Sequence, residues 1–112
     1  MRGIGGNITA EIQISTTTKN KIGESVKGWT TVQSLFGWLD LSSGDSRYSN
    51  YHAKIQESTH VFISDYVKLD ERIKAENSRM VINGKTYDIT YIDNPMEMNA
   101  QLEIYLTFTG GQ

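Results

Sequence analysis

The chain has 112 residues, 11 basic and 13 acidic, for a formal net charge of −2, a length that suits one domain. It has no cysteine, which excludes disulfides, cysteine-ligated zinc and a thiol nucleophile. Its charges are scattered rather than gathered into a basic run, so no segment reads as a counterion-release surface for nucleic acid, and no apolar stretch approaches the ~20 residues of a membrane-spanning helix.

Residues Met1 to Asn7 hold three glycines and no hydrophobic segment of the signal-peptide kind. They read as a flexible tail, 1–7, on a soluble protein made and used in a cytoplasm. In Ile8 to Ile14, the residues Ile8, Ala10, Ile12 and Ile14 share one parity against Thr9, Glu11 and Gln13. This alternation predicts a half-buried strand. Ser15 to Ser25, rich in Ser, Thr, Lys and Asn, has too little apolar content to pack and reads as a polar connector turning at Gly23. Both this connector and the later loop are expected to be mobile in a free monomer and ordered on assembly.

Val26 to Leu41 carries Trp29, Val32, Leu35, Phe36, Trp38 and Leu39, long for one strand. Apolar parity changes near Leu35 and Phe36, which predicts a break there with Gly37 as a bulge or bend. A long polar loop follows over 42–53, made of Ser42, Ser43, Gly44, Asp45, Ser46, Arg47, Tyr48, Ser49, Asn50, Tyr51 and His52 before Ala53. Loops of this length in a small domain tend to carry function. Alternation returns with Ala53, Ile55, Thr59, Val61 and Ile63, predicting a third strand from about Lys54 to Ser64 with these residues on its apolar face.

Lys68 to Asn77 is the one helix candidate, with Leu69/Ile73 and Asp70/Lys74 four apart; a connecting turn is the alternative. Met80-Val81-Ile82 then leads into Asn83-Gly84, and Lys85 to Tyr91 leads out. Asn-Gly between two such runs predicts a type I′ hairpin turn, because both residues tolerate positive φ. Asp93-Asn94-Pro95 ends that strand, and Leu102, Ile104, Leu106 and Phe108 define a last one. The sum is a mainly β chain: one domain, 1–112, forming a small six-stranded barrel or sandwich with long loops and at most one short helix.

Chemistry finds little to converge on. His52 and His60 are eight apart and lack a third ligand at metal-binding spacing. His60 reads as a strand residue beside Phe62 and His52 as a loop residue. Ser42-Ser43-Gly44-Asp45-Ser46 is no nucleophile elbow. Gly3, Gly5 and Gly6 precede the first strand, whereas a dinucleotide loop follows one. No catalytic residue, metal site or cofactor is expected. Trp29, Trp38 and the tyrosines offer stacking platforms for single-stranded nucleic acid, but without interleaved Lys and Arg they read as core and strand-face residues.

In order and spacing these motifs resemble the head closure, or head–tail connector (stopper, adaptor), proteins of tailed bacteriophages. The resemblance runs from about Ile8 to Phe108. It is carried by the first strand, Gly23-Glu24, Trp29 and Val32, Trp38, Ser43-Gly44, Thr59-His60, Tyr66, the run Arg79 to Ile89, Asp93-Asn94-Pro95, and Asn99 to Glu103. It implies a structural, non-enzymatic β subunit forming a homo-oligomeric ring at the virion neck, assembled in the bacterial host cytoplasm. The implied partners are copies of itself, a portal-bound adaptor protein, and a tail or tail-terminator protein. Packaged double-stranded DNA in the channel would be met without sequence specificity, and no membrane is involved. The loop Ser42 to His52 matches the one that in some members projects into the channel. A tail terminator or other neck ring is the nearest alternative, and a small nucleic-acid-binding barrel a more distant one.

Overall fold

The computed structural model describes residues 3–41 and 59–111. Six strands form: β1 (Ile8–Lys19), β2 (Ser25–Leu41), β3 (His60–Asp65), β4 (Ser78–Ile82), β5 (Lys85–Asp93) and β6 (Gln101–Gly111). Every pairing is antiparallel, and the order β1-β2-β3-β6-β5-β4 returns to β1 to make a closed barrel. Closure removes the open sheet edges that a flat six-stranded sheet would expose.

On β1, β4, β5 and most of β6 the inward-facing residues follow from the alternation read in the sequence. On β3 they do not, since Phe62 and Ser64 are buried and Val61 and Ile63, which the alternation picked out, are only half-buried. Ala10, Ile12, Ile14, Leu35, Phe62, Met80, Ile82, Tyr87, Ile89, Ile104 and Leu106 are buried together. Six strands each contribute to this core, and burial of one such aliphatic or aromatic side chain is worth about 1.5–3 kcal/mol. The two buried serines are satisfied locally. Ser64 donates to the Asp65 carbonyl (3.1 Å), and the Ser78 hydroxyl donates to Asn77 Oδ1 (2.7 Å).

Four readings are corrected or refined. First, Ser15 to Ser25 is not a polar connector. Ser15–Lys19 continues β1 and pairs with Ser25–Trp29 of β2, leaving a tight tip at 20–24. Threonines 16–18 suit a strand because β-branched side chains fit the pleat. Neither face of this segment is buried, so no alternation marked it.

Second, Gly37 is neither bulge nor bend. The register shift lies at Val32, which is left over between the pairs Ile12↔Gln33 and Gln13↔Thr31. The parity change at Leu35-Phe36 arises because both faces of β2 are apolar. Leu35 points into the barrel, while Phe36 and Trp38 point out. Gly37 is required for a different reason: a Cβ there would collide with the Ile63 carbonyl and press on the Phe62 ring at 3.0 Å. Gly6 crosses over it, where a Cβ would lie 2.5 Å from the Gly37 Cα.

Third, Lys68 to Asn77 is the connecting turn and not a helix. Only a single 3-10 turn forms, at Ala75–Asn77. Asp70 accepts from the Arg72 backbone N–H (2.9 Å), and the Gln33 side chain accepts from the Asp70 N–H (2.7 Å) while donating to the Lys68 carbonyl (3.2 Å). These bonds compete with a helical ladder. Leu69 and Ile73 still reach the core, as cover over the barrel end.

Fourth, residues 3–7, the described part of the expected flexible tail, are tied to the barrel. The Ile4 and Gly5 N–H groups donate to the Asp65 carboxylate (2.7 and 3.2 Å), the Asn7 N–H donates to the Gly37 carbonyl (2.9 Å), and the Trp38 indole N–H donates to the Ile4 carbonyl (3.0 Å). The third strand is seen from His60, and the stretch 54–58 of its expected range lies outside the described residues.

Candidate docking surfaces

The Asn83-Gly84 turn has the backbone its sequence calls for, with φ of 51° and 77° between the paired Ile82 and Lys85. The long loop, Ser42 to His52, lies outside the described residues. His60 sits at the start of β3, its Nδ1 2.8 Å from the Thr59 hydroxyl and its ring edge-on to buried Tyr87 at 5.1 Å. That is the packing of a strand residue. Among the described residues, no group of three or more His, Asp or Glu is placed to hold a metal ion.

Three surfaces do stand out, each built from a different local device. The first is the outer face of β2. Strand alternation turns Phe36 and Trp38 away from the core, and the Gly3–Asn7 latch passes beside them, bringing Ile4 to the Trp38 indole. Trp29, further along β2, is also on the outside. The Arg79 guanidinium lies 4.2 Å from its ring centroid and Lys27 Nζ 5.6 Å, while Arg79 Nε donates to Gln13 Oε1 (2.8 Å). Arg79 thus occupies a ring face that base stacking would need. The tryptophans are strand-face residues, not core.

The second surface is the tip of the β1–β2 arm. Asn20 organises it: its Oδ1 accepts from the Ile22 and Glu24 N–H groups (3.1 and 3.0 Å), and its backbone exchanges bonds with Gly23 and Glu24. Gly23 supplies the positive φ of 87° that the tip needs. The result holds Ile22 in water, 78% exposed.

The third is the turn between β5 and β6. Pro95 stops β5, and a 3-10 turn at Pro95–Glu97 follows. Asn94 and Asn99 clasp each other's side chains (2.7 Å), and Asn94 Oδ1 also accepts from the Asn99 N–H (3.1 Å). Met96, Glu97 and Asn99 all take positive φ, between 52° and 55°, a conformation that costs a non-glycine residue roughly 1–2 kcal/mol. The turn leaves Met96 and Met98 86% and 66% exposed.

Electrostatics adds one local pair. Asp70 and Arg72 form a two-pronged contact (2.9 Å each), and this hydrogen bonding holds the Asp70 carboxyl down to about 2, below its usual value, while raising the Arg72 guanidinium. The pair is solvent-facing, where such a contact contributes little to stability. Among the described residues, no helix is long and apolar enough to cross a membrane.

Fold and surface together define a small antiparallel barrel that presents large apolar side chains from its outer strand and its turns. The chain belongs to the phage head completion protein family, whose model matches residues 6–107. This membership bears out the resemblance seen in the motifs and supports a role in phage head closure or head–tail joining, as a component of the virion. The fold is similar to a solution structure of protein SF1141 from Shigella flexneri 2a, with a TM-score of 0.64 and 18% identity, covering 96% of each chain. No curated protein matches the sequence.

Proposed function

We propose that the chain forms a homo-oligomeric ring in the virion neck, binding a portal-bound adaptor protein on one side and a tail or tail-terminator protein on the other. It acts by contact and catalyses no reaction. The observation that carries this reading is the set of exposed Phe36, Trp38, Ile22, Met96 and Met98 on a barrel of the head completion family. Aromatic and methionine side chains are the kinds that anchor protein interfaces.

The loop Ser42 to His52 enters the channel of that ring and helps retain packaged double-stranded DNA. Its composition supports the role, since Asp45 and Arg47 cancel and, His52 apart, the remaining side chains carry no formal charge. Phosphate contacts accumulate affinity, so a strongly basic loop would hinder ejection. Deleting Ser43–Asn50 tests the reading. The barrel should still fold, and capsids should package DNA but leak it or fail to join tails. Normal titres from the deletion phage would contradict the role.

A further inference from the structure

The six-strand order carries a geometric consequence. All pairings are antiparallel, so the β1–β2 arm and the β5–β6 turn leave the barrel at the same end. In the cyclic order β1-β2-β3-β6-β5-β4 the pair β1/β2 lies opposite the pair β6/β5. The two turns therefore leave one end of the barrel on opposite flanks, an arrangement that lets one subunit's arm reach the opposite flank of a neighbour.

Their chemistry is complementary. The arm, residues 15–28, carries Lys19, Lys21 and Lys27 against Glu24 alone. The chain after Lys85 carries Asp88, Asp93, Glu97 and Glu103 and no basic residue. Each turn also presents apolar surface to water: Ile22 from the arm, Met96 and Met98 from the other. Both are pre-set by asparagine side chains, so docking would order little that is not already ordered, which lowers its entropic cost.

We propose that the arm of one copy docks on the β5–β6 turn of the next, Ile22 packing against Met96 and Met98 while Lys19 and Lys21 face Asp93 and Glu97. The contact is heterologous: each copy gives an arm and receives one, and the series closes into a ring when the rotation per step closes. This rests on the ring reading above and names its two halves. The acidic turn also selects against the wrong orientation, because turn-to-turn contact would oppose like charges.

The absence of native cysteine makes a direct test available. A chain carrying both Ile22→Cys and Met96→Cys, oxidised at high protein concentration, should give a reducible covalent ladder of dimers, trimers and larger species. Either single variant should give no ladder. Lys21→Glu or Glu97→Lys, added singly to the double-cysteine chain, should slow ladder formation on the order of tenfold, and the two together should restore it. Both positions are exposed, so folding is checked by an unchanged thermal transition. No ladder, dimers from Ile22→Cys alone, or no restoration by the paired reversal would each overturn the contact. The neck role is read separately, from tail joining by phage lacking the wild-type chain. A missing ladder beside failed tail joining refutes this interface and leaves the neck role standing.

Discussion

Replacing Asp65 with alanine should release the N-terminal latch while leaving the barrel intact. The Asp65 carboxylate accepts from the Ile4 and Gly5 N–H groups at 2.7 and 3.2 Å, and both bonds face solvent. At such exposure each is worth about 0.5–1 kcal/mol, so the pair holds the latch by roughly 1–2 kcal/mol. The reporters lie beyond the mutated site: the Asn7 N–H, bonded to the Gly37 carbonyl, and the Trp38 indole N–H, bonded to the Ile4 carbonyl. Hydrogen exchange followed by NMR should show both protons exchanging on the order of 5–30-fold faster in the variant, using 1.4 kcal/mol per factor of ten. Core amides such as those of Ile12 and Ile104 should be unchanged, because no buried contact is lost. Unchanged exchange at Asn7 and Trp38 would mean that Asp65 does not hold the segment, and the reasoning would fall.

Two further outcomes follow from local geometry. Gly84→Val should lower stability in chemical denaturation by roughly 1–2 kcal/mol; φ there is +77° and no atom lies near the added Cβ, so the cost is backbone strain alone. For Asp70, the folded-state value of about 2 lies below the ordinary 3.8, so its stabilising contribution is complete above 3.8 and is lost as pH falls towards 2. Carboxyl NMR titration should place its midpoint near 2 and return it towards 3.8 in Arg72→Ala, the main cause being the Arg72 hydrogen bonds.

Much of the barrel was legible because alternation is a local property. Ile8 to Ile14 and Leu102 to Leu106 each face one side wet and one side dry, and each forms a strand. β3 also forms, but Val61 and Ile63, whose alternation marked it, are half-buried, while Phe62 and Ser64 of the other parity face the core. The Asn83-Gly84 turn was legible because only its own two residues must accept positive φ. The same logic hid the arm. Its threonines are good strand residues, yet with both faces in water they show no period. The Met96–Met98 turn was equally hidden, since nothing in Met-Glu-Met announces left-handed backbone. It becomes visible once Asn94 and Asn99 are seen to clasp across it.

By itself, then, the sequence determined the parity of most strands, one hairpin turn, the lack of cysteine chemistry and, through the order of its motifs, the family. Only the tertiary structure decided why Gly6 and Gly37 are glycines: two backbones cross there, and residues distant in sequence leave no room for a Cβ. It also decided that Asp65 holds Ile4 and Gly5 from 61 and 60 residues away, and that the arm and the methionine turn share one end of the barrel on opposite flanks. Periodicity reports which side of a strand is dry, because burial acts residue by residue. Which strands become neighbours depends on closure of the whole barrel, a condition that no window of the chain contains.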